Sequence, residues 1–218
     1  MVEVGTSLLD VEESNVIQNI YDLEVAGTDY FHIDVMDGKF VENDTIEKMR
    51  KYTEYLKQIS TIPIDVHLMV EDVEPHISDY LALEVSSITF HLEACKNEKE
   101  VLKYISYIKD NNTKVGVSIN PNTDVEKLFG YLPYIHKVLL MTVEPGKGGQ
   151  KFIPESIDKI KMLNRIIYEN NFDVDIVIDG GINDETAVDA KKAGINVLVA
   201  GNYIIKSGDF KEAISKLK

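Results

Sequence analysis

Phe31-His32-Ile33-Asp34-Val35-Met36-Asp37-Gly38 is an apolar run in which a histidine and an aspartate stand two residues apart. A second run of the same kind follows further along the chain, Asp65-Val66-His67-Leu68-Met69. In a β-strand, residues i and i+2 face the same side, so His32 and Asp34 are predicted to share one face. We expect His67, in the second run, to lie beside them on one wall of a shared cavity. The pattern therefore predicts two neighbouring strands that carry chemistry.

Around these two runs, short β-branched segments alternate with longer amphipathic segments in eight rounds. Strict alternation predicts parallel strands with right-handed crossovers, in either an open doubly wound sheet or a closed (β/α)8 TIM barrel. Eight rounds favour the barrel. The polar residues support it too, because they end the predicted strands, where the active sites of such barrels lie. The predicted strands are 4–9, 30–35, 63–69, 87–91, 114–119, 137–142, 174–179 and 196–200, and the predicted helices are 11–26, 46–59, 73–83, 98–111, 124–131, 154–170, 184–193 and 211–217.

Composition limits the partners and the location. The 218 residues, 44% of them apolar, suit a single barrel domain spanning 1–218, and homo-oligomerisation through the outer helices is possible. The formal charge of −14, without a basic stripe, makes nucleic acid and anionic membrane surfaces poor partners. No apolar run approaches about 18 residues and the N-terminus has no signal-peptide pattern, so we expect a cytoplasmic protein. The single cysteine, Cys95, excludes an intramolecular disulfide and a multi-cysteine metal site.

Four polar side chains at strand ends form a candidate metal site: His32, Asp34, His67 and Asp179. Two imidazoles and two carboxylates suit one divalent ion of Zn, Fe, Co or Mn better than Ca²⁺ or Mg²⁺, which prefer oxygen ligands. Asp65 is placed to orient one liganding imidazole from behind. The alternative is that each histidine is only a hydrogen-bonded residue of the barrel mouth. Taken together the four favour the metal site, because uncompensated polar groups there cost free energy.

Glycine-rich segments follow the last three predicted strands. Loops after strands 7 and 8 of such barrels, with a short helix N-terminus, commonly bind phosphate, since glycine lets backbone N–H groups approach the anion. The ligand is therefore predicted to be a phosphate ester. The glycines after strand 6 also permit a mobile lid. The residues concerned are Gly146, Lys147, Gly148 and Gly149 after strand 6, Gly180 and Gly181 after strand 7, and Gly201 with Asn202 after strand 8.

Asp34 and Asp179 are predicted to approach a ligand from nearly opposite sides, because strands 2 and 7 are three steps apart in a ring of eight. This arrangement suits two-base proton transfer, in which one carboxylate removes a proton from carbon and the other protonates the opposite face. A metal ion on a carbonyl and a neighbouring hydroxyl would stabilise the enediolate. The alternative role for Asp179 is a structural turn before Gly180.

The motifs resemble the ribulose-phosphate 3-epimerase family over nearly the whole chain. The resemblance implies a barrel of the ribulose-phosphate-binding type. It also implies that the protein is an isomerase, which interconverts D-ribulose 5-phosphate and D-xylulose 5-phosphate in the pentose phosphate pathway. It implies that His32, Asp34, His67 and Asp179 bind the metal, and that Asp34 and Asp179 form the acid/base pair. The matching motifs are His32-Ile33-Asp34-Val35-Met36-Asp37-Gly38, Asp65-Val66-His67-Leu68-Met69, Met141-Thr142-Val143-Glu144-Pro145-Gly146, Ile178-Asp179-Gly180-Gly181-Ile182 and Val199-Ala200-Gly201.

The same resemblance implies the residues that contact the substrate. Ser7 falls at a substrate-contacting serine of the family, and three methionines fall near the reacting carbons, although methionine is more often a plain core filler. The implied contacts are Ser7, Met36, His67, Met69 and Met141 at the sugar, Gly180, Gly181, Gly201 and Asn202 at the phosphate, and Gly146, Lys147, Gly148 and Gly149 in the flexible loop.

Five residues depart from the family pattern: Thr6, Glu42, Asp44, Lys147 and Asn202. None removes a predicted ligand or base, so they bear on substrate identity more than on the reaction. The alternatives left open are a ketohexose-6-phosphate 3-epimerase acting on a substrate such as allulose 6-phosphate, and a non-catalytic sugar-phosphate binding protein. A lyase or decarboxylase is less well supported, because it has no need for two opposed carboxylates beside a metal.

Overall fold

Eight parallel strands close into a barrel in chain order, with β1 paired to β8. This arrangement is seen in a computed structural model, which describes residues 2–218. The predicted (β/α)8 barrel is confirmed, and each predicted strand is present with ends shifted by at most two residues. The strands are β1 Glu3–Ser7, β2 Tyr30–Met36, β3 Ile64–Met69, β4 Ser87–His91, β5 Lys114–Ile119, β6 Lys137–Met141, β7 Asp175–Asp179 and β8 Val197–Ala200.

The helices surround the barrel and pack their apolar faces on the strands. They are α1 Val16–Ala26, α2 Ile46–Ile59, α3 Val73–Ala82, α4 Glu98–Asp110, α5 Ser156–Asn170, α6 Asp184–Ala193, α7 Asn202–Ile205 and α8 Phe210–Leu217. Across residues 2–218, none of these helices combines the length and the apolar character needed to cross a membrane.

The helix predicted at 124–131 is wrong. That segment forms a 3₁₀ turn at Val125–Leu128, followed by a second one at Leu132–Tyr134. Gly130 interrupts the segment, and Pro133 disfavours the α conformation of the residue before it. Too few residues remain for an α-helix, and short connectors commonly adopt 3₁₀ geometry.

The two faces of β2 and β3 are both buried, as expected of parallel strands covered by helices. Ile33, Val35 and Val66 are fully buried in the main apolar core. The intervening side chains are polar and face the barrel interior. The register pairs Asp34 with His67 across β2 and β3, which brings the two polar runs of the sequence side by side.

Candidate active site

Four side chains converge at the carboxyl ends of β2, β3 and β7. His32, Asp34, His67 and Asp179 each offer one ligand atom, and these atoms all lie within 4.8 Å of one another. We call these residues the His/Asp cluster. The first three are buried, and the Asp179 side chain is 16% exposed. The structure thus brings together the four residues that the sequence singled out as metal ligands.

The distances place the donor atoms around one centre. Asp34 Oδ1 is 3.3 Å from both His32 Nε2 and His67 Nδ1. Asp179 Oδ2 is 3.7 Å from His32 Nε2 and 3.6 Å from His67 Nδ1. Within residues 2–218, the buried His32 Nε2 finds no hydrogen-bond partner. A buried nitrogen without a partner costs free energy, so a cation that takes its lone pair fits this donor set.

The electrostatics of the cluster favour positive charge at its centre. Burial lowers the pKa of His32 and His67, but the neighbouring carboxylates outweigh burial and raise the pKa of both imidazoles. Burial also raises the pKa of Asp34, yet the two imidazoles hold that pKa well below its usual range. The carboxylate of Asp34 is therefore ionised at neutral pH, as a metal ligand or a general base must be.

A buried network holds His32 from the opposite side. Asp65 Oδ2 is 3.0 Å from His32 Nδ1, so Asp65 orients the imidazole of the neighbouring strand. Asp65 Oδ1 accepts hydrogen bonds from Ser87 Oγ at 2.5 Å and from the Lys137 ammonium group. No sequence pattern indicated Lys137, because it lies on β6 and meets β3 only across the barrel interior.

His67 has a different network. Its Nε2 is 2.8 Å from His91 Nε2, and His91 Nδ1 is 3.3 Å from Glu93 Oε2. Burial lowers the pKa of His91 to about 4, so this imidazole is neutral at neutral pH. His91 is the last residue of the predicted strand 87–91 but was given no role there, and Glu93, two residues after that strand, was not identified.

A cavity opens above the His/Asp cluster. Ser7 lies in its wall, and Ser7 Oγ donates a hydrogen bond of 2.6 Å to Asp34 Oδ2. Of the described residues predicted to contact substrate, His67 alone does not line the cavity, because its side chain is fully buried. The predicted residues that line it are Ser7, Asp34, Met36, Met69, Met141, Gly146, Lys147, Gly148, Gly149, Asp179, Gly180, Gly181, Gly201 and Asn202.

The loop after β7 reaches the cavity as bare backbone. Gly180 and Gly181 have φ values of +116° and +67°, in the region that favours glycine. A Cβ atom on Gly181 would lie 2.3 Å from the backbone nitrogen of Phe152. Close approach of these two loops therefore requires glycine, and it leaves backbone groups at the cavity wall.

Two of the five departures from the family pattern lie in the cavity wall, Lys147 and Asn202. Asn202 Nδ2 donates a hydrogen bond to Asp10, which also lines the cavity and was not among the predicted site residues. The sequence signal for Asp10 was its position directly after the predicted strand 4–9. Thr6, Glu42 and Asp44 lie outside the lining residues.

Comparison with known proteins agrees with this architecture. The sequence model of the ribulose-phosphate 3 epimerase family matches residues 3–205. A ribulose-phosphate 3-epimerase of Methanocaldococcus jannaschii is 40% identical over 218 residues, covering 100% of this chain and 90% of the relative. One of Bacillus subtilis is 38% identical over 219 residues, covering 100% and 99%. The solved structure of KGPDC from Streptococcus mutans shares the fold, with a TM-score of 0.72, 12% identity and coverage of 99% and 95% of the two chains. The chain therefore belongs to the ribulose-phosphate 3-epimerase family.

Proposed function

We propose that this protein is a metal-dependent epimerase that interconverts D-ribulose 5-phosphate and D-xylulose 5-phosphate by inverting C3. The observation that carries the proposal is the His/Asp cluster, in which two carboxylates from opposite parts of the barrel share one centre with two imidazoles. Relatives named ribulose-phosphate 3-epimerase, aligned over the full chain, support it. The reaction belongs to the pentose phosphate pathway. The cytoplasmic location, the single domain over 1–218 and a homo-oligomeric state stay predictions.

The proton transfers are assigned to Asp34 and Asp179. These residues come from β2 and β7, three strands apart in the closed ring, so a carbon between them faces a carboxylate on each side. One carboxylate takes the proton from C3, and the other delivers a proton to the opposite face. The hydrogen bond from Ser7 Oγ fixes the direction of Asp34 Oδ2. Inversion needs two bases of this kind, because a single base returns the proton to the same face.

His32, Asp34, His67 and Asp179 would hold one divalent metal ion, and their mixed nitrogen and oxygen atoms suit Zn²⁺, Fe²⁺, Co²⁺ or Mn²⁺. When bound, the ion supplies positive charge that stabilises negative charge developing on substrate oxygen atoms. The chain itself contributes the orientation of the ligands. Asp65 holds His32 from behind, so that its Nε2 faces the centre.

The rest of the cavity is assigned to substrate binding. The glycine loops at Gly180, Gly181 and Gly201 bring backbone groups to the cavity wall, where they suit a phosphate. Lys147 adds positive charge in a protein of net charge −14. Met36, Met69 and Met141 are buried and line the cavity, and their apolar surfaces exclude water from the reacting carbons.

A second candidate substrate is a ketohexose 6-phosphate such as allulose 6-phosphate. Lys147 and the hydrogen-bonded pair of Asn202 and Asp10 favour keeping it, because these side chains line the cavity and two of them depart from the family pattern. The catalytic cluster is the same for both sugars. The residues of the cavity wall therefore determine which of the two sugar phosphates is preferred.

The test is an epimerisation assay of metal-reconstituted protein on D-ribulose 5-phosphate and D-allulose 6-phosphate side by side. We expect faster turnover of the pentose, and a loss of about 10²–10⁴-fold in kcat for Asp34→Asn and for Asp179→Asn. Asp44→Asn, outside the cavity, is the matched control and should keep full activity. Faster turnover of the hexose would contradict the proposed substrate. Binding without exchange of the C3 proton into D₂O would instead identify a sugar-phosphate binding protein.

A further inference from the structure

A buried series of hydrogen-bonding groups leads away from the His/Asp cluster through His67. His67 Nε2 lies 2.8 Å from His91 Nε2, and His91 Nδ1 lies 3.3 Å from Glu93 Oε2. Neither imidazole has exposed side-chain surface, and the Glu93 side chain is 23% exposed. The Phe40 ring covers His91, with ring centroids 4.9 Å apart. Water therefore cannot readily reach His67 Nε2 or His91 Nε2 and replace the hydrogen bond between them.

Glu93 has a fixed place at the far end of the series. Its Oε1 accepts a hydrogen bond of 2.7 Å from the backbone N–H of Asn120, and it also accepts one from the Thr123 hydroxyl group. Both donors belong to the segment that follows β5, so Glu93 joins the end of β4 to that segment. Burial raises the pKa of Glu93, but its hydrogen bonds outweigh burial and hold that pKa at about 2, so the group is a carboxylate that only accepts.

The direction of each hydrogen bond in the series follows from the Glu93 carboxylate at its far end. A carboxylate has no hydrogen to donate, so the hydrogen between Glu93 and His91 is on His91 Nδ1. Across 2.8 Å, only one of the two facing Nε2 atoms can carry a hydrogen. With its hydrogen on Nδ1, His91 accepts at Nε2, and His67 donates from its own Nε2. His67 Nδ1 faces Asp34 and Asp179, whose ionised oxygens accept its hydrogen. A metal ion bound to these carboxylates would displace that hydrogen and take the nitrogen lone pair, while Nε2 keeps its own hydrogen.

We propose that His91 and Glu93 are positioning residues that fix the tautomer of His67 and thereby hold its Nδ1 ready to bind the metal ion. The inference rests on the metal site of the proposed function and adds residues outside that site. The two ligand histidines present opposite nitrogens, since His32 turns Nε2 to the centre and is held at Nδ1 by Asp65. Each therefore needs its own partner, and partners of this kind commonly change metal affinity by about 10–100-fold.

The first test observes the tautomer directly in the wild-type protein. Long-range ¹H–¹⁵N correlation spectra of Zn²⁺-loaded protein with ¹⁵N-labelled histidine report which ring nitrogen carries hydrogen. The chain has 5 histidines, and spectra of His91→Gln and His76→Gln aid assignment of the signals. We expect His67 to carry hydrogen on Nε2 and to bind Zn²⁺ through Nδ1. Hydrogen on Nδ1, with Zn²⁺ on Nε2, would overturn the inference.

The second test measures the Zn²⁺ affinity of metal-free variants by competition with a chelator. His91→Leu fills similar space but accepts no hydrogen bond, so it should bind Zn²⁺ about 10–100-fold more weakly. His91→Gln keeps an acceptor oxygen and should stay within about 3-fold of wild type. Glu93→Gln should weaken binding, because its amide oxygen stays with the Asn120 and Thr123 donors and its NH₂ group then faces His91 Nδ1, which would have to accept. His76→Leu, on α3, is the matched control and should leave the affinity unchanged.

The outcomes separate the inference from the proposed function. Zn²⁺ affinity of His91→Leu within about 3-fold of wild type, with unchanged thermal unfolding, would show that His91 only fills space. Absence of Zn²⁺ binding by the wild type would instead overturn the proposed metal site itself, and the inference with it. If His91→Leu fails to fold, the wild-type tautomer and the Glu93→Gln affinity still decide the question.

Discussion

Replacing Lys137 by methionine should lower the free energy of unfolding by about 3 kcal/mol, because it leaves the Asp65 carboxylate buried without its cation. The two side chains are only 11% and 3% exposed. Loss of one partner of a buried ion pair costs about 3–5 kcal/mol. We expect the lower end, because Asp65 keeps its contacts with Ser87 and His32 and methionine keeps the apolar stem of the lysine.

The assay is urea or thermal unfolding at pH 7. In a protein of this length, about 3 kcal/mol corresponds to a fall in Tm of about 6–12 °C. Lys114→Met, an exposed lysine on the neighbouring strand β5, is the matched control and should change stability by less than about 0.5 kcal/mol. The double variant Asp65→Asn with Lys137→Met should be less destabilised than the sum of the two single variants, since it removes both buried charges.

The pH dependence gives a second check. Burial raises the pKa of Asp65, but the Lys137 ammonium group and His32 outweigh burial and hold that pKa below its ordinary value. Their stabilising contribution is therefore present above about pH 4 and is lost as the pH falls below it. The difference in the free energy of unfolding between wild type and Lys137→Met should decrease as the pH falls below about 4. A Lys137→Met variant as stable as Lys114→Met at pH 7 would refute the reasoning, because the ammonium group would then not compensate Asp65.

Three further predictions concern other parts of the chain. Asp37→Ala should cost about 2 kcal/mol in chemical unfolding, since the carboxylate accepts three backbone N–H groups at 2.7–2.9 Å; a loss below about 0.5 kcal/mol would contradict this role. Burial raises the pKa of Cys95 to about 12, so at pH 8 it should react with a disulfide reagent at least about 10-fold more slowly than free cysteine, and an equal rate would show an accessible thiol. Gly181→Ala should lower Tm more than Gly27→Ala, because both have positive φ but only the first would place Cβ 2.3 Å from the backbone of Phe152; equal losses would mean that the loop can move aside.

Much of this barrel was predictable because its signals are local. The alternation of strand and helix patterns predicted eight parallel strands, and the two-residue period of a strand placed His32 and Asp34 on one face. The rule that active sites lie at the carboxyl ends of barrel strands then grouped His67 and Asp179 with them. All four side chains do lie together in the structure. The failure at 124–131 was also local, since glycine and proline near its end outweighed a weak helical pattern.

The partners behind the ligands were not predictable in the same way. Lys137 reaches Asp65 across the barrel, and Glu93 joins the segment after β5, so both contacts depend on which strands face each other and in which register. Asp10 meets Asn202 only because the closed barrel brings the ends of β1 and β8 together. None of these pairs has a characteristic spacing along the chain.

The sequence by itself determined the fold class, the family and the residue types at the centre of the site. Hydrophobic periodicity and strand-end chemistry act within a few residues, so they can be followed along the chain. The tertiary structure alone decided which nitrogen of each histidine faces the centre, and which buried charge compensates Asp65. These properties depend on hydrogen bonds between side chains far apart in sequence, and such bonds exist only once the barrel has closed and excluded water from its interior.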